Sequence, residues 1–570
     1  MAGTLVPWAP PDQRSYDRRY KVLAVLCTSL VVVIVGNTSL NVAIPTIQRE
    51  LGASQTALQW MVDAYGLVFA GLLLTAGAIG DRFGRKGALQ AGLGVFFVGS
   101  LLAGVSESTG GIIAMRALMG IGAAFVMPGT LSILANVFPP DERPKAIAIW
   151  AGLSGAGGAI GPIASGYLLN HFSYGSVFFV NLPIIAVALV AGHFLLPKSK
   201  DAAQTRLDPV GALLTIVGLS TVVYAIIEGP THGWASSRTL GTGLAGLAVL
   251  AVFAWWELRS DHPMLDLRYF KNPRFGVASG GVTLIFFTMF GMFFLITQYF
   301  QLVLGYTPLG AGLRGIPIAL AIMATAPNSA KLVVRFGPKL TVAGGLGLVG
   351  AGLLLLIGAQ VDTSYPYIAL SMVVLASGMG VAMAPLTASI MGSIPLGKSG
   401  VGSAVNDTTR ELGGALGVAV LGSLLQSAYS SKIGDLEAVP EPVRDVARKS
   451  LGAALQAAEG LGQTDPNAAR QLVDGAKQGY VSGMHLALVV AAGVAALAVG
   501  LVLRYLPGKS PAGPGDPEER QAHGPDGPTE RHAGGSGELA DRKVQSPDGL
   551  PERETQGLSV RSILPAPEAI

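Results

Sequence analysis

Apolar runs of about twenty residues recur along the chain and are separated by short polar segments. Each run, wound as a helix, matches the roughly 30 Å thickness of a hydrocarbon core. The runs lack the polar alternation of a transmembrane barrel strand, so helix is the predicted class. We place fourteen spans, at 22–44, 58–79, 87–106, 110–136, 145–169, 176–197, 208–227, 239–256, 275–302, 309–331, 338–359, 365–392, 400–427 and 483–504.

Lysine and arginine are distributed unequally between the two sides of these spans. If the N-terminus lies in the cytoplasm, the inner segments carry twenty basic residues and the short outer loops carry only Arg49 and Arg238. The positive-inside rule then predicts that both termini are cytoplasmic. We expect a multi-pass protein of the plasma (inner) membrane. The same bias accounts for a net charge of +4 without nucleic acid as a partner. The single cysteine, Cys27, excludes disulfides and thiolate metal sites.

Segments outside the bilayer are predicted at both ends and in one long loop. Residues 1–21 form a cytoplasmic N-terminus, and the Pro-, Gly- and charge-rich stretch 505–570 reads as a disordered cytoplasmic tail. The outer loop 428–482 has apolar residues at helical spacing, which predicts a short amphipathic helix or hairpin. A second helix is predicted to begin at Asp465-Pro466.

An internal repeat indicates how the spans are grouped. The loop after span two, Asp81–Lys86, is echoed by Val334–Lys339 after span ten. Matching loops eight spans apart predict two six-helix bundles, 22–197 and 275–504, separated by a two-helix insert with its flanking loops, 198–274. Secondary transporters are built from such repeats, with the substrate site between the halves near the midplane.

Three motifs in order carry a family resemblance. They are Gly77-Ala-Ile-Gly-Asp-Arg-Phe-Gly-Arg-Lys86, Arg116-Ala-Leu-Met-Gly-Ile-Gly-Ala-Ala124 and Gly157-Gly-Ala-Ile-Gly-Pro-Ile-Ala-Ser-Gly166. With the fourteen spans, they resemble the major facilitator superfamily and, within it, the drug:proton antiporters. The resemblance implies export of amphipathic drugs or other small organic compounds by alternating access, driven by the proton gradient. It implies a monomer that needs no cofactor and no metal and whose partners are substrate, protons and lipid.

Two of these motifs have predicted mechanical roles. The loop residues Gly77, Asp81, Arg82, Gly84 and Arg85 are candidates for a conformational latch, in which Asp81 accepts hydrogen bonds from helix N-termini or arginines of the neighbouring bundle. The alternative is a static basic loop that sets topology. The span-five residues Gly157, Gly161, Pro162 and Gly166 are candidates for close helix packing and a bend. That bend is either structural or the pivot between the halves.

Ionisable residues inside the spans are few, because a charge at mid-bilayer costs about 2.5–3.5 kcal/mol or more. We assign proton coupling to Asp63, Asp407 and Glu411, and charge tuning to Arg116 and Arg410. Asp407, Arg410 and Glu411 share one helix face, so Asp407 and Arg410 can neutralise each other and leave Glu411 as the surplus carboxyl. The alternative is a fixed ion network that only holds spans together.

The remaining predictions concern span one and the lining of the substrate cavity. Gly36 stands where the resemblance would place an aspartate in span one, which shifts the coupling role to Asp63 and span thirteen. Polar or aromatic residues proposed to line the substrate cavity, or else to pack helices, are Asn37, Asn41, Gln59, Trp60, Tyr65, Gln298 and Gln301.

Rival functions remain open at this stage. The cargo could be an endogenous metabolite or lipid precursor instead of a drug, and the same rocking motion could drive import. A polytopic membrane enzyme is a remote alternative, because the sequence has no HExxH or GxSxG motif and no catalytic carboxylate cluster in its cytoplasmic loops. We therefore predict a transporter and not an enzyme.

Overall fold

The computed structural model describes residues 16–139, 141–200, 207–260, 263–394 and 399–508. Helices make up most of these residues, and no strand occurs among them. Thirteen of the described helical stretches are long and apolar enough to cross a membrane. The prediction of an all-α multi-pass membrane protein is thereby confirmed. Most of segment 1–21 and of the predicted tail 505–570 lie outside the described residues.

The first predicted bundle and the insert are built from long helices joined by short turns. Before the insert come α1 (Arg19–Leu51), α2 (Gln55–Phe83), α3 (Arg85–Gly104), α4 (Thr109–Val137), α5 (Arg143–Leu169), α6 (Ser176–Phe179) and α7 (Asn181–Leu195). The insert contains α8 (Pro209–His232) and α9 (Ser237–Arg259), followed by a 3-10 turn, Leu267–Lys271.

The second predicted bundle begins with α10 (Pro273–Gln298), which continues as a π-helical turn, Tyr299–Val303. After it come α11 (Pro308–Leu313), α12 (Ile316–Leu356), α13 (Tyr365–Met391), α14 (Ser399–Gly434), α15 (Glu441–Ala447), α16 (Leu451–Leu461) and α17 (Pro466–Tyr505). The grouping of these helices into six, two and six stays a prediction.

Helix α12 is two helices that meet at a kink. Gly337 inside it has φ 78 and ψ 164, which is non-helical. A positive φ is accessible to glycine, and the following Pro338 disfavours helical geometry at the residue before it. Each arm has about twenty residues, enough to cross a bilayer. Counting the arms separately supports the predicted total of fourteen spans, which stays a prediction.

Helix packing places the insert beside the two bundles. Helix α2 packs on α4, and α1 packs on α5 and α7, whereas α14 packs on α10 and α17. The two insert helices pack on each other, and α8 also contacts α2 and α14. The insert therefore lies against the two helices that carry Asp63 and Glu411.

The two bundles are bonded to each other at one end of the helices. We call the end where α1 begins, at Arg19, the near face and the end where it finishes, at Leu51, the far face. Gln59 Nε2 on α2 donates to the carbonyls of Val418 and Ala419 on α14 at 3.1 and 3.0 Å. Gln301 Nε2 donates to Val42 O at 2.9 Å. Within the described residues, every hydrogen bond between the bundles lies in the half toward the far face.

The loop 428–482 folds over that far face. The predicted helical hairpin is present as α15 and α16, and Ser450 Oγ donates to Ala53 O at 3.3 Å in the turn between α1 and α2. Asp465 caps α17 by accepting from Asn467 N and Ala468 N. The predicted second loop helix and the last span form one continuous helix, because α17 runs from Pro466 to Tyr505 without a break.

Candidate functional site

A small cavity lies between the bundles and is lined by two carboxyl groups. Its water-accessible volume is about 10 Å³, and it is lined by Asn37, Val62, Asp63, Gly66, Phe290, Glu411, Gly414 and Ala415. The first four residues belong to α1 and α2, and the others belong to α10 and α14. The cavity therefore has one wall from helices before the insert and one wall from helices after it.

Asp63 is buried without any compensating contact. Its side chain is 1% exposed, and neither carboxylate oxygen has a hydrogen-bond partner. Ser54 caps the start of α2 by accepting from Ala57 N, which places Asp63 two turns into the helix. An unpaired carboxylate in such surroundings costs several kcal/mol, so the neutral acid is the form that this environment tolerates.

Glu411 faces Asp63 across the contact between α2 and α14. A Cβ atom built on Gly66, one turn after Asp63, would lie 3.7 Å from Glu411 Oε2. No ion pair among the described residues includes Glu411, whereas Arg410 Nη1 lies 3.7 Å from Asp407 Oδ1. Asp407 is also within 3.4 Å of Asn406 Nδ2. Asp407 thus lies beside Arg410 as the i, i+3 spacing favours, and the role of Glu411 as a surplus carboxyl stays a prediction.

Arg116 lies behind the cavity wall and is completely buried. Its guanidinium donates from Nε to Met61 O at 3.0 Å, from Nη1 to Gly36 O at 3.3 Å and from Nη2 to Asn37 Oδ1 at 3.1 Å. It also stacks over the Tyr65 ring, 4.3 Å from its centroid. Carbonyl and amide dipoles therefore solvate the cation, and no carboxylate pairs with it in the described part of the chain.

Close packing of α4 on α2 brings the Arg116 guanidinium within hydrogen-bonding distance of the Met61 carbonyl. A Cβ atom on Gly120, one turn after Arg116, would lie 2.6 Å from Tyr65 O. Asn37 connects the cation to the cavity, because it accepts from Arg116 and also lines the space beside Asp63 and Glu411. A fixed positive charge thus lies one side chain away from the two carboxyls.

The loop between α2 and α3 is bonded within its own bundle. Asp81 Oδ1 accepts from Arg85 Nε at 2.7 Å and from Ser132 Oγ of α4 at 3.3 Å. Gly84 has φ 126, a backbone conformation that favours glycine, and Arg82 stacks over Phe83. The expected partners for Asp81 were helix N-termini or arginines of the neighbouring bundle, and this structure has an arginine of the same loop instead. The latch stays a prediction.

The span-five residues form a packing surface on α5. A Cβ atom on Gly157 would contact Ile34 of α1, and one on Gly161 would collide with Thr38. On Gly166 it would lie 2.7 Å from Leu309 Cα of α11, in the other bundle. These small residues therefore bring α5 against α1 and, near the far face, against the second bundle. The pivot role assigned to Pro162 stays a prediction.

The other candidate cavity residues occupy different surroundings from Asn37. Gln59 and Gln301 join the bundles at the far face, and Gln298 Nε2 donates to Phe294 O of its own helix. Trp60 packs toward Tyr224 of the insert, and Asn41 is buried with its Oδ1 unpartnered. Sequence reasoning missed Gly66 and Phe290, and a glycine or phenylalanine in an apolar span gives no signal of a cavity.

Comparison with known proteins agrees with this architecture. The family model described as Major Facilitator Superfamily matches residues 26–418. The chain is 36% identical to the multidrug efflux pump LfrA of Mycolicibacterium smegmatis over 88% of this chain and 100% of that protein. It is 31% identical to the tetracenomycin C resistance and export protein of Streptomyces glaucescens, over 85% of this chain and 91% of that one.

A solved structure shows the same fold at low sequence identity. A bacterial homologue of the human lysosomal transporter Spinster superposes with a TM-score of 0.59 at 16% identity, covering 87% of this chain and 99% of that one. A multi-pass helical fold with a polar cavity between two groups of helices is that of a membrane transporter. The chain belongs to the major facilitator superfamily.

Proposed function

We propose that this protein exports amphipathic drugs or other small organic compounds in exchange for protons, by alternating access. The observation that carries the proposal is the pair of carboxyls, Asp63 and Glu411, on opposite walls of one cavity between the bundles. The names of relatives support export, since they include a multidrug efflux pump and an antibiotic resistance and export protein.

The coupling follows from the cost of burying charge. When Asp63 and Glu411 are protonated, α2 and α14 can pack together around a neutral cavity. When a carboxyl loses its proton, the buried charge disfavours that packing and favours a state in which water or substrate reaches it. Arg116 biases both carboxyls through its fixed charge, and it keeps that charge because a guanidinium does not deprotonate in this pH range.

The side on which the bundles are closed identifies the state of the transport cycle, whereas the proposed direction rests on the names of the export relatives. We assign the near face to the cytoplasm, because the basic residues lie in its loops, and we place both termini there. Contacts between the bundles at the far face then correspond to a state closed to the outside. In that state substrate enters from the cytoplasm, and protons enter when the far face opens.

The proton gradient is sufficient for concentrative export. One proton moving inward releases roughly 2.3 kcal/mol per 100 mV and about 1.4 kcal/mol per pH unit. For a neutral substrate, this supports a gradient of order a hundredfold. Neutralising the coupling carboxyl removes that driving force without removing the cavity.

A second candidate cargo is an endogenous metabolite or self-made antibiotic. The observation that favours it is the relative named for tetracenomycin C resistance and export. Both cargoes use the same site and the same coupling, so they differ only in which compound the cavity selects.

The test uses purified protein in vesicles with an imposed pH gradient and a panel of neutral and cationic dyes. Wild type should drive uphill dye movement and dissipate the pH gradient when substrate is added. At least one of the variants Glu411→Gln and Asp63→Asn should accumulate little dye. The ratio of dye concentrations across the vesicle membrane should fall from about a hundredfold toward one. Matched controls are Glu459→Gln and Asp474→Asn, which alter exposed carboxyls away from the cavity.

Two results would contradict the proposal. One is uphill transport by wild type with no accompanying pH response. The other is normal coupled transport by both Glu411→Gln and Asp63→Asn, which would show that neither carboxyl carries the proton.

A further inference from the structure

The insert contains a second pair of buried carboxyls, outside the cavity. Asp208 caps the start of α8, where its Oδ1 accepts from Gly211 N at 2.8 Å. Trp256 Nε1 on α9 donates to both carboxylate oxygens of Asp208, each at 3.1 Å. Asp208 is therefore held as an acceptor by N–H groups from both insert helices.

Glu257 lies beside Asp208 and has one oxygen without a partner. Its side chain is 2% exposed, Oε2 accepts from Leu265 N at 3.0 Å, and Oε1 is buried with no hydrogen-bond donor among the described residues. A Cβ atom on Gly211 would lie 2.6 Å from both Asp208 Oδ2 and Glu257 Oε1, so these two oxygens converge on the space above that glycine.

No cation in the described part of the chain neutralises the pair. The salt bridges found there involve neither Asp208 nor Glu257. The other charged group that acts on Glu257 is Asp266, whose negative charge adds to the repulsion. Two arginines of the described residues near the pair are engaged elsewhere, since Arg259 stacks over Trp255 at 4.8 Å and Arg268 donates to Leu258 O at 3.4 Å.

One proton resolves both the repulsion and the missing donor. Two adjacent buried carboxylates cannot both stay charged at reasonable cost, as in other carboxyl pairs that share a site. Because Asp208 already accepts three contacts from N–H groups, the proton belongs on Glu257 Oε1, from which it donates to Asp208 Oδ2. Every polar atom of the pair then has a partner.

The pair is connected to α2 through the loop that follows α9. Leu265, which donates to Glu257, is preceded by Met264, and Met264 Sδ accepts from Thr75 Oγ1 at 3.4 Å. Thr75 lies on α2, twelve residues after Asp63 and six before Asp81. The loop thus links the carboxyl pair to the helix that carries the cavity aspartate.

We propose that Asp208 and Glu257 form a proton-binding site in the insert, which fastens α8, α9 and the following loop to α2. The proton held there is not transported. It closes a hydrogen-bonded network whose loss would loosen the insert from the first bundle. This site does not depend on which cargo the protein carries or in which direction.

The test compares thermal stability of the purified protein at mildly acidic and alkaline pH. Wild type should lose stability as the pH rises, because the folded pair holds a proton that the unfolded chain releases. Glu257→Gln should lose less stability than wild type over the same rise in pH, since its amide can accept from Leu265 N and donate to Asp208. The exposed variant Glu459→Gln should keep the wild-type pH dependence.

Two outcomes of that experiment would overturn the proposal. The first is an unchanged pH dependence in Glu257→Gln. The second is a gain in stability when Mg²⁺ or Ca²⁺ is added at alkaline pH and its loss in Glu257→Gln, which would make the occupant a metal cation instead of a proton.

A spectroscopic measurement keeps the proposal testable if Glu257→Gln does not fold. The sample is a triple variant that carries Asp63→Asn, Asp407→Asn and Glu411→Gln. It lacks the carboxyls of the bundle interface and keeps the carboxyl pair in the insert. The infrared carboxylic C=O band should persist at neutral pH in this variant and disappear at alkaline pH. Absence of that band at neutral pH would refute a shared proton, whatever the transport activity of wild type.

Discussion

Two pairs of carboxyls in this molecule lie in different mechanical surroundings. Asp63 and Glu411 belong to different bundles and face each other across a cavity. Asp208 and Glu257 belong to the insert and are bonded to backbone and indole N–H groups of their own helices and loop. Asp63 has no hydrogen-bond partner among the residues that the structure describes.

The difference teaches that burial of an acid does not by itself identify a transported proton. A carboxyl on a surface between moving bundles changes its solvation when they move, so its proton can be taken up on one side and released on the other. A carboxyl within a fixed hydrogen-bonded network keeps the same surroundings in both states. A carboxyl between the bundles is suited to proton coupling, and a carboxyl in a fixed network is suited to holding helices together.

The largest effect that would sharpen this comparison is expected from Arg116→Leu. The change removes the cavity's fixed positive charge and leaves Asn37 Oδ1 without its donor, whereas Met61 O and Gly36 O lie inside helices and keep their intrahelical N–H donors. An unsatisfied buried acceptor costs about 1–3 kcal/mol, so stability should fall by about that amount. Thermal unfolding measures the stability, and the vesicle assay should show coupled transport falling toward background.

Arg116→Lys is the matched variant, because it keeps the charge but cannot reach all three acceptors. It should retain more stability than Arg116→Leu and show an altered pH profile of transport. Equal transport in wild type and Arg116→Leu would mean that the cation does not influence the carboxyls, and the comparison would lose its electrostatic basis.

A smaller effect is expected at Gly66, where α2 approaches Glu411. A Cβ atom there would be in ordinary contact, 3.7 Å from Glu411 Oε2, so Gly66→Ala should fold. The larger Gly66→Val should fill space beside the carboxyl and exclude water from it, which slows proton loading. We expect the initial rate of coupled transport to fall a few-fold in Gly66→Ala and about tenfold in Gly66→Val. A tenfold fall corresponds to about 1.4 kcal/mol in the activation barrier.

Gly94→Ala is the control for this series, since a Cβ atom on Gly94 meets nothing within 4 Å. It reports the effect of a helical glycine substitution alone. If Gly66→Val transports as fast as Gly94→Ala, the space between α2 and Glu411 is not part of the proton path.

The spans and the candidate acids were predictable from the sequence for one physical reason. A bilayer requires long apolar runs, and the same requirement makes each charge within them conspicuous, so Asp63, Arg116 and Glu411 stand out. Helix spacing also placed Asp407, Arg410 and Glu411 on one face, and the Asp407–Arg410 contact at 3.7 Å agrees with it. Their functional roles stay predictions.

Other features had no signal in the sequence. The ligands of Arg116 include two backbone carbonyls, and every residue carries a carbonyl, so residue identity cannot reveal them. The insert pair was missed because of a boundary. The eighth predicted span, 239–256, ends one residue before Glu257, whereas α9 continues to Arg259 and buries it. A shift of one residue thus turned an apparent loop acid into a buried one.

The smallest effect on transport is expected from Trp256→Phe. This change removes the indole donor to Asp208 while keeping an aromatic ring in the insert. Loss of one hydrogen bond to a charged acceptor should lower stability by about 1.5–3 kcal/mol at most. Transport by the folded protein should stay within about twofold of wild type, since the cavity is untouched and twofold is well under 1.4 kcal/mol in the barrier.

Trp255→Phe on the same helix is the control, because Trp255 is exposed and stacks only with Arg259. A large loss of coupled transport in Trp256→Phe, with stability unchanged, would place the insert pair in the proton path and remove the distinction between a fastening carboxyl and a transporting one.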